Sequence, residues 1–275
     1  MIYIVLYEQI NTFNNIFPHI IMANPSFERR EVFHLILLRH LASRLSGRSW
    51  AVKGGIALRF FYRSPRFSGD MDLDVIRQVR SKTLEDAVDG VLGSRALLAS
   101  LTPHGILRLI PKKPKQTEVT QRWDIQLVWS GGSLSTKVEF SRRRGNTIYA
   151  KGTPHSELLD AYNMPPFAAQ FYDSNSMIAQ KVQALAAPSR NAVRDLFDIH
   201  HLLFTVMAKA EGLSALLEAK VIENAIEKIG RFSYSDFKKQ VLPYLSESVM
   251  PAYQEALAFE ELKRKVEEAL LRSLP

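Results

Sequence analysis

Two groups of residues have the types and spacing for phosphate chemistry. The first is Lys53-Gly54-Gly55-Ile56-Ala57-Leu58, and the second is Asp70-Met71-Asp72-Leu73-Asp74, preceded by Arg66-Phe67-Ser68. Adjacent glycines at a strand-to-helix turn let backbone N–H groups approach a phosphate with no Cβ in the way, and the helix start favours the anion. Lys53, Ser68 and Arg66 are candidates for further phosphate contacts. On a strand, Asp70, Asp72 and Asp74 point to one face. Carboxylates so placed repel unless a divalent cation neutralises them, and oxygen ligands select Mg²⁺ or Mn²⁺. Such an ion can bridge a nucleoside triphosphate and polarise its α-phosphate, so the chemistry expected is transfer of a nucleotide from an NTP.

Asp70 and Asp72 are the expected metal ligands. A third carboxylate is expected from a neighbouring strand, with Glu139 in T-K-V-E-F-S favoured over Asp124 in R-W-D-I-Q-L. Val138 and Phe140 would pack on the opposite strand face from Glu139, whereas Asp124 alternates with Gln126 and reads equally well as a solvated residue. Alone, Gly-Gly is most often a tight turn, and Asp-x-Asp-x-Asp is often a solvated acidic loop. Their combination is far more specific.

The elements that must position these groups can be read from periodicity. Asn24-Pro25 caps a helix whose apolar residues Phe33, Ile36, Leu37, Leu41 and Leu45 recur at helical spacing as far as Ser46. Trp50 to Val52 reads as a buried strand, Ile56 to Tyr62 as a helix, Met71 to Ile76 as a strand and Thr83 to Leu98 as an amphipathic helix. Further strands are expected at 106–110, 123–129 and 136–141, the last two joined by a Ser130-Gly131-Gly132-Ser133 hairpin, with Pro111 to Lys115 as a basic loop. After Pro165-Pro166 the pattern turns helical, at 176–187, 191–210, 213–229, 234–244 and 250–274. The expectation is an α+β fold with a mixed sheet over 1–165, followed by a helical domain over 166–275. Residues 1–21 read as an extension, with Met22 as an alternative start.

Composition excludes more than it identifies. At 275 residues, 46% hydrophobic and 23% charged, the chain can bury a sizeable core. It has no cysteine, hence no disulfide, thiolate nucleophile or cysteine zinc site. The N-terminal apolar run lacks the basic region and cleavage site of a signal peptide, and no segment is long and apolar enough to span a membrane, so a cytoplasmic location is the default. The formal charge of +8 favours an anionic partner such as nucleic acid or a polyphosphate. Candidate grips on RNA are Lys112, Lys113 and Lys115, the run Arg142-Arg143-Arg144, and Arg59, Arg63 and Arg66. Adjacent helical residues face different ways, so His200-His201 cannot chelate one ion, and a packed helix with one buried histidine is expected instead.

The stretch from Lys53 to Val75 resembles the AbiEii/AbiGii nucleotidyltransferases, the toxin halves of bacterial toxin–antitoxin pairs, with Arg66-Phe67-Ser68-Gly69-Asp70-Met71-Asp72 similar to their R-x-S-x-D-[IL]-D motif. Lys181-Val182-Gln183-Ala184-Leu185, Arg190 and Arg194-Asp195-Leu196-Phe197-Asp198-Ile199 resemble the family's K-x-x-A-L…R…R-D-x-x-D-[IL]. The resemblance covers Trp50 to Leu203 and implies a polymerase-β-like nucleotidyltransferase domain with a helical C-terminal domain. It also implies that Gly54, Gly55 and Ser68 hold the triphosphate, Asp70 and Asp72 the metal, and Lys181 the nucleotide phosphates. Asp195 and Asp198 form its second acidic motif, one of them acting as a base toward the acceptor or positioning Lys181. The implied partners are an NTP, an RNA acceptor such as tRNA, and a cognate antitoxin, with a role in phage defence. A small-molecule acceptor would favour an acidic pocket, against the basic balance, and a non-catalytic nucleic-acid-binding module has no need of a clustered Asp-x-Asp.

Overall fold

Alternation sorts the strand residues onto two unlike faces, one apolar and one polar, and the helices cover the apolar one. The computed structural model describes residues 25–142 and 147–274. The readings of the N-terminal extension, Met22, the Asn24 cap and Arg143-Arg144 lie outside the described residues.

Helix α1 (Pro25–Arg44) precedes strand β1 (Trp50–Lys53), helix α2 (Gly54–Phe61) and strand β2 (Asp70–Val75). Helices α3 (Ser81–Leu92) and α4 (Arg95–Leu101) lead to strands β3 (Arg108–Gln116), β4 (Thr120–Trp129) and β5 (Gly132–Ser141). Strand β6 (Tyr149–Gly152), helix α5 (Ser156–Ala161) and strand β7 (Ala169–Tyr172) complete the sheet, whose order is β3-β4-β5-β2-β1-β7-β6. The sheet is mixed, as expected: β2–β5 and β1–β7 are parallel and the other neighbours antiparallel. The rest is helical: α6 (Ser174–Ala186), α7 (Val193–Phe204), α8 (Leu213–Leu216), α9 (Ala219–Arg231), α10 (Tyr234–Gln240) and α11 (Ala256–Arg272). None of the described helices is long and apolar enough to cross a membrane.

Val52, Met71, Leu73, Trp123, Ile125, Val138 and Phe140 share one sheet face and are buried with Phe33, Leu37, Leu41, Leu84 and Leu97 of the helices. Burying each such side chain contributes about 1.5–3 kcal/mol. The opposite face carries Lys53, Asp70, Asp72, Asp74, Lys137 and Glu139, because cross-strand register pairs Lys53 with Asp72, Asp70 with Lys137, and Asp72 with Glu139.

Several expected elements differ. The 83–98 helix is two, because Gly93 ends one and Ser94 caps the next, its hydroxyl accepting from Leu97 N at 3.1 Å. Pro111 to Lys115 is not a loop but part of β3. This edge strand has no outer partner for the N–H groups its prolines lack, and a bulge between Lys112 and Lys115 absorbs the irregularity. The chain also does not pass directly into helices after Pro165-Pro166: β7 first returns to the sheet beside β1. Strands β6 and β7 have four residues each and lack a flanking signal such as the Gly54-Gly55 turn that marks the equally short β1.

One buried chain of hydrogen bonds reaches from helix to site. Thr136 on β5 donates its hydroxyl proton to Gly69 O at 2.8 Å, so His34 Nε2, 2.6 Å away, must be the donor to Thr136 Oγ1. Nδ1 then has no partner, and burial, with Arg30 nearby, holds the His34 pKa down to about 3. The folded chain keeps His34 neutral while the unfolded chain protonates it below about 6.5, so stability falls as pH drops from about 6.5 towards 3, by at most about 1.4 kcal/mol per pH unit. Urea midpoints between pH 7 and 5 should therefore decline, and more steeply for the wild type than for His34→Gln; equal slopes would remove His34 from the account.

Candidate active site

Helix α2 begins at Gly54, which has φ +67°, a left-handed conformation that costs an L side chain about 1–2 kcal/mol. A Cβ on Gly54 would also lie 3.0 Å from Asp72 Oδ2, and one on Gly55 would lie 2.7 Å from Ser68 Oγ. The residue before the helix, Lys53, provides no side-chain cap, so the helix starts with its N–H groups uncapped by protein side chains. Gly54, Gly55, Ser68, Asp70 and Asp72 line one wall of a cleft of about 1270 Å³. An uncapped helix start, a hydroxyl and two carboxylates therefore border one space.

Asp70 is half exposed, with Lys137 Nζ 3.1 Å from its Oδ2. Asp72 is more enclosed. Burial raises its pKa, Lys137 and Lys53 oppose the rise, and Asp70 and Glu139 add to it. Glu139 stands directly across from Asp72 in the parallel β2–β5 register, about 5 Å away between backbones. Its carboxylate is held by Arg122 Nε at 2.7 Å. Among the described residues no three potential ligands are already gathered round one point. Yet the donor set suits a hard divalent cation: two acids on one strand face, a third in register beside them, and a Glu139–Arg122 pair exposed enough that parting it costs about 1 kcal/mol or less. Asp124 is exposed and pairs in register with Lys137, one strand further from Asp72 than Glu139.

The third acid of the Asp70-Asp72-Asp74 series has a different role. Asp74 is buried and accepts hydrogen bonds from Lys53 Nζ (2.9 Å), Ser141 Oγ (2.6 Å) and Tyr172 Oη (2.6 Å). Lys53 also donates to Ser141 Oγ, so most of its ammonium is already engaged and little is left for a phosphate.

The opposite wall comes from the helical part. Lys181 on α6 donates to Asp195 Oδ1 at 3.0 Å and lies 2.7 Å from Asp198 Oδ2, both acids on α7. Arg66 grips Asp198 with two parallel bonds of 2.9 and 2.8 Å, and Arg190 Nε reaches Asp195 at 2.7 Å. Asp195 and Asp198 are fully buried and Lys181 and Arg66 nearly so. Burial alone would discourage the Asp198 charge, but Arg66 and Lys181 outweigh it and hold its pKa to about 2. For Lys181 too, the two carboxylates outweigh burial and raise its pKa. Backbone bonds accompany the ions: Phe67 N donates to Tyr244 O at 2.8 Å and Ser246 N to Pro65 O at 2.9 Å, so the loop before Asp70 is pinned to the helical part. The two sequence motifs, more than a hundred residues apart, thus meet in one site.

Lys53, Gly54, Gly55, Arg66, Ser68, Asp70, Asp72, Lys181 and Asp195 border the cleft, whereas Asp198 is buried behind them and Glu139 lies beside Asp72, partly exposed, on the adjoining sheet face. Arg66 and Arg59 are not free grips for RNA: Arg66 is held by Asp198 and Arg59 by Glu31, while the exposed Arg63 pairs with Glu157 at the surface. His201 is buried and bonds Tyr62 O, while His200 packs on Phe204, as a packed helix requires. Lys137 and Arg122, which hold the acids, were missed in the sequence. Lys137 lies two residues before Glu139 on the same strand, so alternation alone would have placed it on the site face. Arg30 and Arg194 also line the cleft, and among the described residues neither forms an ion pair.

A family model described as nucleotidyl transferase AbiEii toxin, type IV toxin–antitoxin system, matches residues 36–272. The chain belongs to this family. It is a nucleotidyltransferase, and the AbiEii match runs from inside α1 to the end of α11. Among solved structures, JHP933 from Helicobacter pylori is 17% identical with a TM-score of 0.51, covering 90% of this chain and 94% of that one. A second H. pylori chain, described provisionally as a nucleotidyltransferase, is 17% identical with a TM-score of 0.53, covering 91% and 98%. At that identity the likeness is one of fold. No curated protein matches the sequence.

In this AbiEii chain, removing the Asp198 charge leaves Arg66 and Lys181 buried and partly unpaired, a loss worth about 3–5 kcal/mol. Asp198→Ala should therefore lower the denaturation midpoint sharply, and Arg190→Ala, at a side chain 43% exposed, should lower it far less. Equal midpoints for wild type and Asp198→Ala would refute the structural role given to the pair.

Proposed function

We propose that this AbiEii-family enzyme uses Mg²⁺ or Mn²⁺ to transfer a nucleotide from an NTP to an RNA acceptor, tRNA being the acceptor most in keeping with the family, in the cytoplasm and under control of a cognate antitoxin. The observation that carries this reading is that one cleft joins the uncapped start of α2, the Asp70–Asp72 pair, and Arg30 and Arg194, which form no ion pair among the described residues.

The α2 N–H groups at Gly54 and Gly55 receive the β- and γ-phosphates, while the absent Cβ atoms let Asp72 and Ser68, whose hydroxyl donates to Asp70 O at 3.1 Å, close in beside the helix start. Arg190 and Arg194 face them across the cleft and offset the charge of the triphosphate. Asp70 and Asp72, with Glu139 as a third ligand, would hold the divalent ion, which when bound would supply Lewis-acid polarisation of the α-phosphate and offset charge on the leaving pyrophosphate. The acceptor hydroxyl oxygen bonds to the α-phosphorus, the bond from the α-phosphorus to the α–β bridging oxygen breaks so that pyrophosphate departs with that oxygen, and the hydroxyl proton passes to water in the cleft. Asp195 and Asp198 position Lys181 rather than take that proton, because both are committed to buried cations and Asp198 lies behind the cleft wall. The positive balance of the chain supports a polyanionic acceptor over a cationic small molecule.

Purified protein incubated with each α-³²P-labelled NTP, Mg²⁺ and total bacterial RNA should label the tRNA band. Asp72→Asn should reduce incorporation at least about 10²-fold, and EDTA should abolish it. Label appearing only in protein or small-molecule fractions would overturn the RNA acceptor, and full activity in Asp72→Asn would overturn the metal site.

A further inference from the structure

The sheet continues beyond the acid pair, and its polar face stays open as it does so. Two cross-strand rows cross it. One runs Asp70, Lys137, Asp124, Lys112 over β2, β5, β4 and β3, and the other runs Asp72, Glu139, Arg122, Lys115. Residues paired across antiparallel or parallel neighbours share a face, so all eight look to the same side as the cleft. Asp124, Lys112 and Lys115 are exposed, Ser133 and Ser135 beside them are exposed too, and Ser135 also lines the cleft. Among the described residues no helix packs on this face; α1 and α3 lie on the other.

The bulge in β3 sets the charge of this face. Lys112 pairs with Asp124 and Lys115 with Arg122, so three steps on β3 match two on β4. Without the extra residue Lys112 and Lys115, an odd number apart, would point to opposite faces; with it they share one. Lys113 is left on the helix side, where Glu85 and Asp89 of α3 hold it at 2.5 and 2.9 Å. Among the described residues neither Lys112 nor Lys115 forms an ion pair. From Asp70 to β3 is three strand spacings, about 14 Å.

We infer that this open face of β5-β4-β3 is the track on which the RNA acceptor lies, with Lys112 and Lys115 gripping its phosphates upstream of the reacting end. The inference rests on the RNA-acceptor reading of the same site. A polyanion fits because, among the described residues, the outermost cations Lys112 and Lys115 form no ion pair and are exposed, and the face is mainly polar, with Ile110 and Val128 as part-buried apolar members. The serines offer hydroxyls to phosphate or sugar oxygens without reading sequence. Continuity with the cleft at Ser135 gives the strand a path to the acid pair.

The test uses the full chain with Lys112→Ala/Lys115→Ala, the charge reversal Lys112→Glu/Lys115→Glu, and Lys113→Ala as the opposite-face control. Transfer from labelled NTP is measured over a range of RNA and of NTP concentrations. RNA affinity is read separately by fluorescence anisotropy on the inert Asp72→Asn background against KCl. The expected result is a KM for RNA raised by about tenfold in the double alanine variant and more in the reversal, with KM for NTP unchanged. The slope of log affinity against log salt should fall by about 1.4, that of two phosphate contacts on a single strand, and Lys113→Ala should match wild type. Unchanged RNA affinity in the charge reversal, whatever it does to binding of a protein partner, overturns the track, as does an equal effect of Lys113→Ala. The anisotropy arm separates the two readings. If wild type labels no RNA yet Asp72→Asn binds it through Lys112 and Lys115, the acceptor reading fails and only RNA binding by this face stands.

Discussion

Everything else in the molecule depends on a line of five alternating charges, Arg66, Asp198, Lys181, Asp195 and Arg190, most of it out of contact with water. Burying any one of these ions alone would cost several kcal/mol, and the mutual attraction repays that only when each is matched and hydrogen-bonded. Here the matching is close: Asp198 receives Arg66 in a two-pronged grip and Lys181 besides, and Asp195 receives Lys181 and Arg190. Such a line is poor as a source of net stability but exacting about geometry. It forms only if the loop before Asp70, helix α6 and helix α7 are all in place, so the two walls of the cleft are set by one condition. The backbone bonds between residues 65–67 and 244–246 hold the same seam by other means.

That arrangement explains which cations remain available for chemistry. On the sheet wall, Lys53 is spent on Asp74 and Ser141, and Arg66 on Asp198. Their work is to fix the strand and the loop that present Asp70 and Asp72. The charge left to meet a triphosphate is on Arg194 and the half-exposed Arg190 of the helical wall and on Arg30 of α1, all of which line the cleft. Acids on one wall and cations on the other suit a substrate that is itself a chain of phosphates with a divalent ion along one side.

Much of this was legible in the sequence, because it is local. Gly54-Gly55 after a short buried strand, and acids alternating on the next, need only the periods of strand and helix to be read. The two motifs and their shared cleft followed from resemblance, and residue spacing alone already allowed a cation and two carboxylates to converge. What could not be read were pairings across long sequence separations. Arg66 with Asp198 is a contact over 132 residues, and nothing local distinguishes a buried arginine from one that grips a phosphate. Alternation puts Asp74 on the same face, which left a metal ligand and a solvent-facing acid equally open; only the neighbouring Lys53, Ser141 and Tyr172 make it a buried anchor. Pro111 to Lys115 looked like a loop because two prolines argue against a strand, an argument that lapses at an edge.

The edge also shows how one irregularity can serve two ends. A long exposed edge strand invites pairing with other chains, and prolines, lysines and a bulge are the usual deterrents. All three are present in β3. The same bulge changes the phase of the strand, so that Lys113 turns to the acids of α3 and ties the edge to the core layer, while Lys112 and Lys115 turn together to the open face. A regular strand with this sequence would divide its lysines differently, placing Lys113 and Lys115 on one side and Lys112 on the other. The protection of the edge and the charge of the face beside the acid pair are therefore consequences of a single inserted residue.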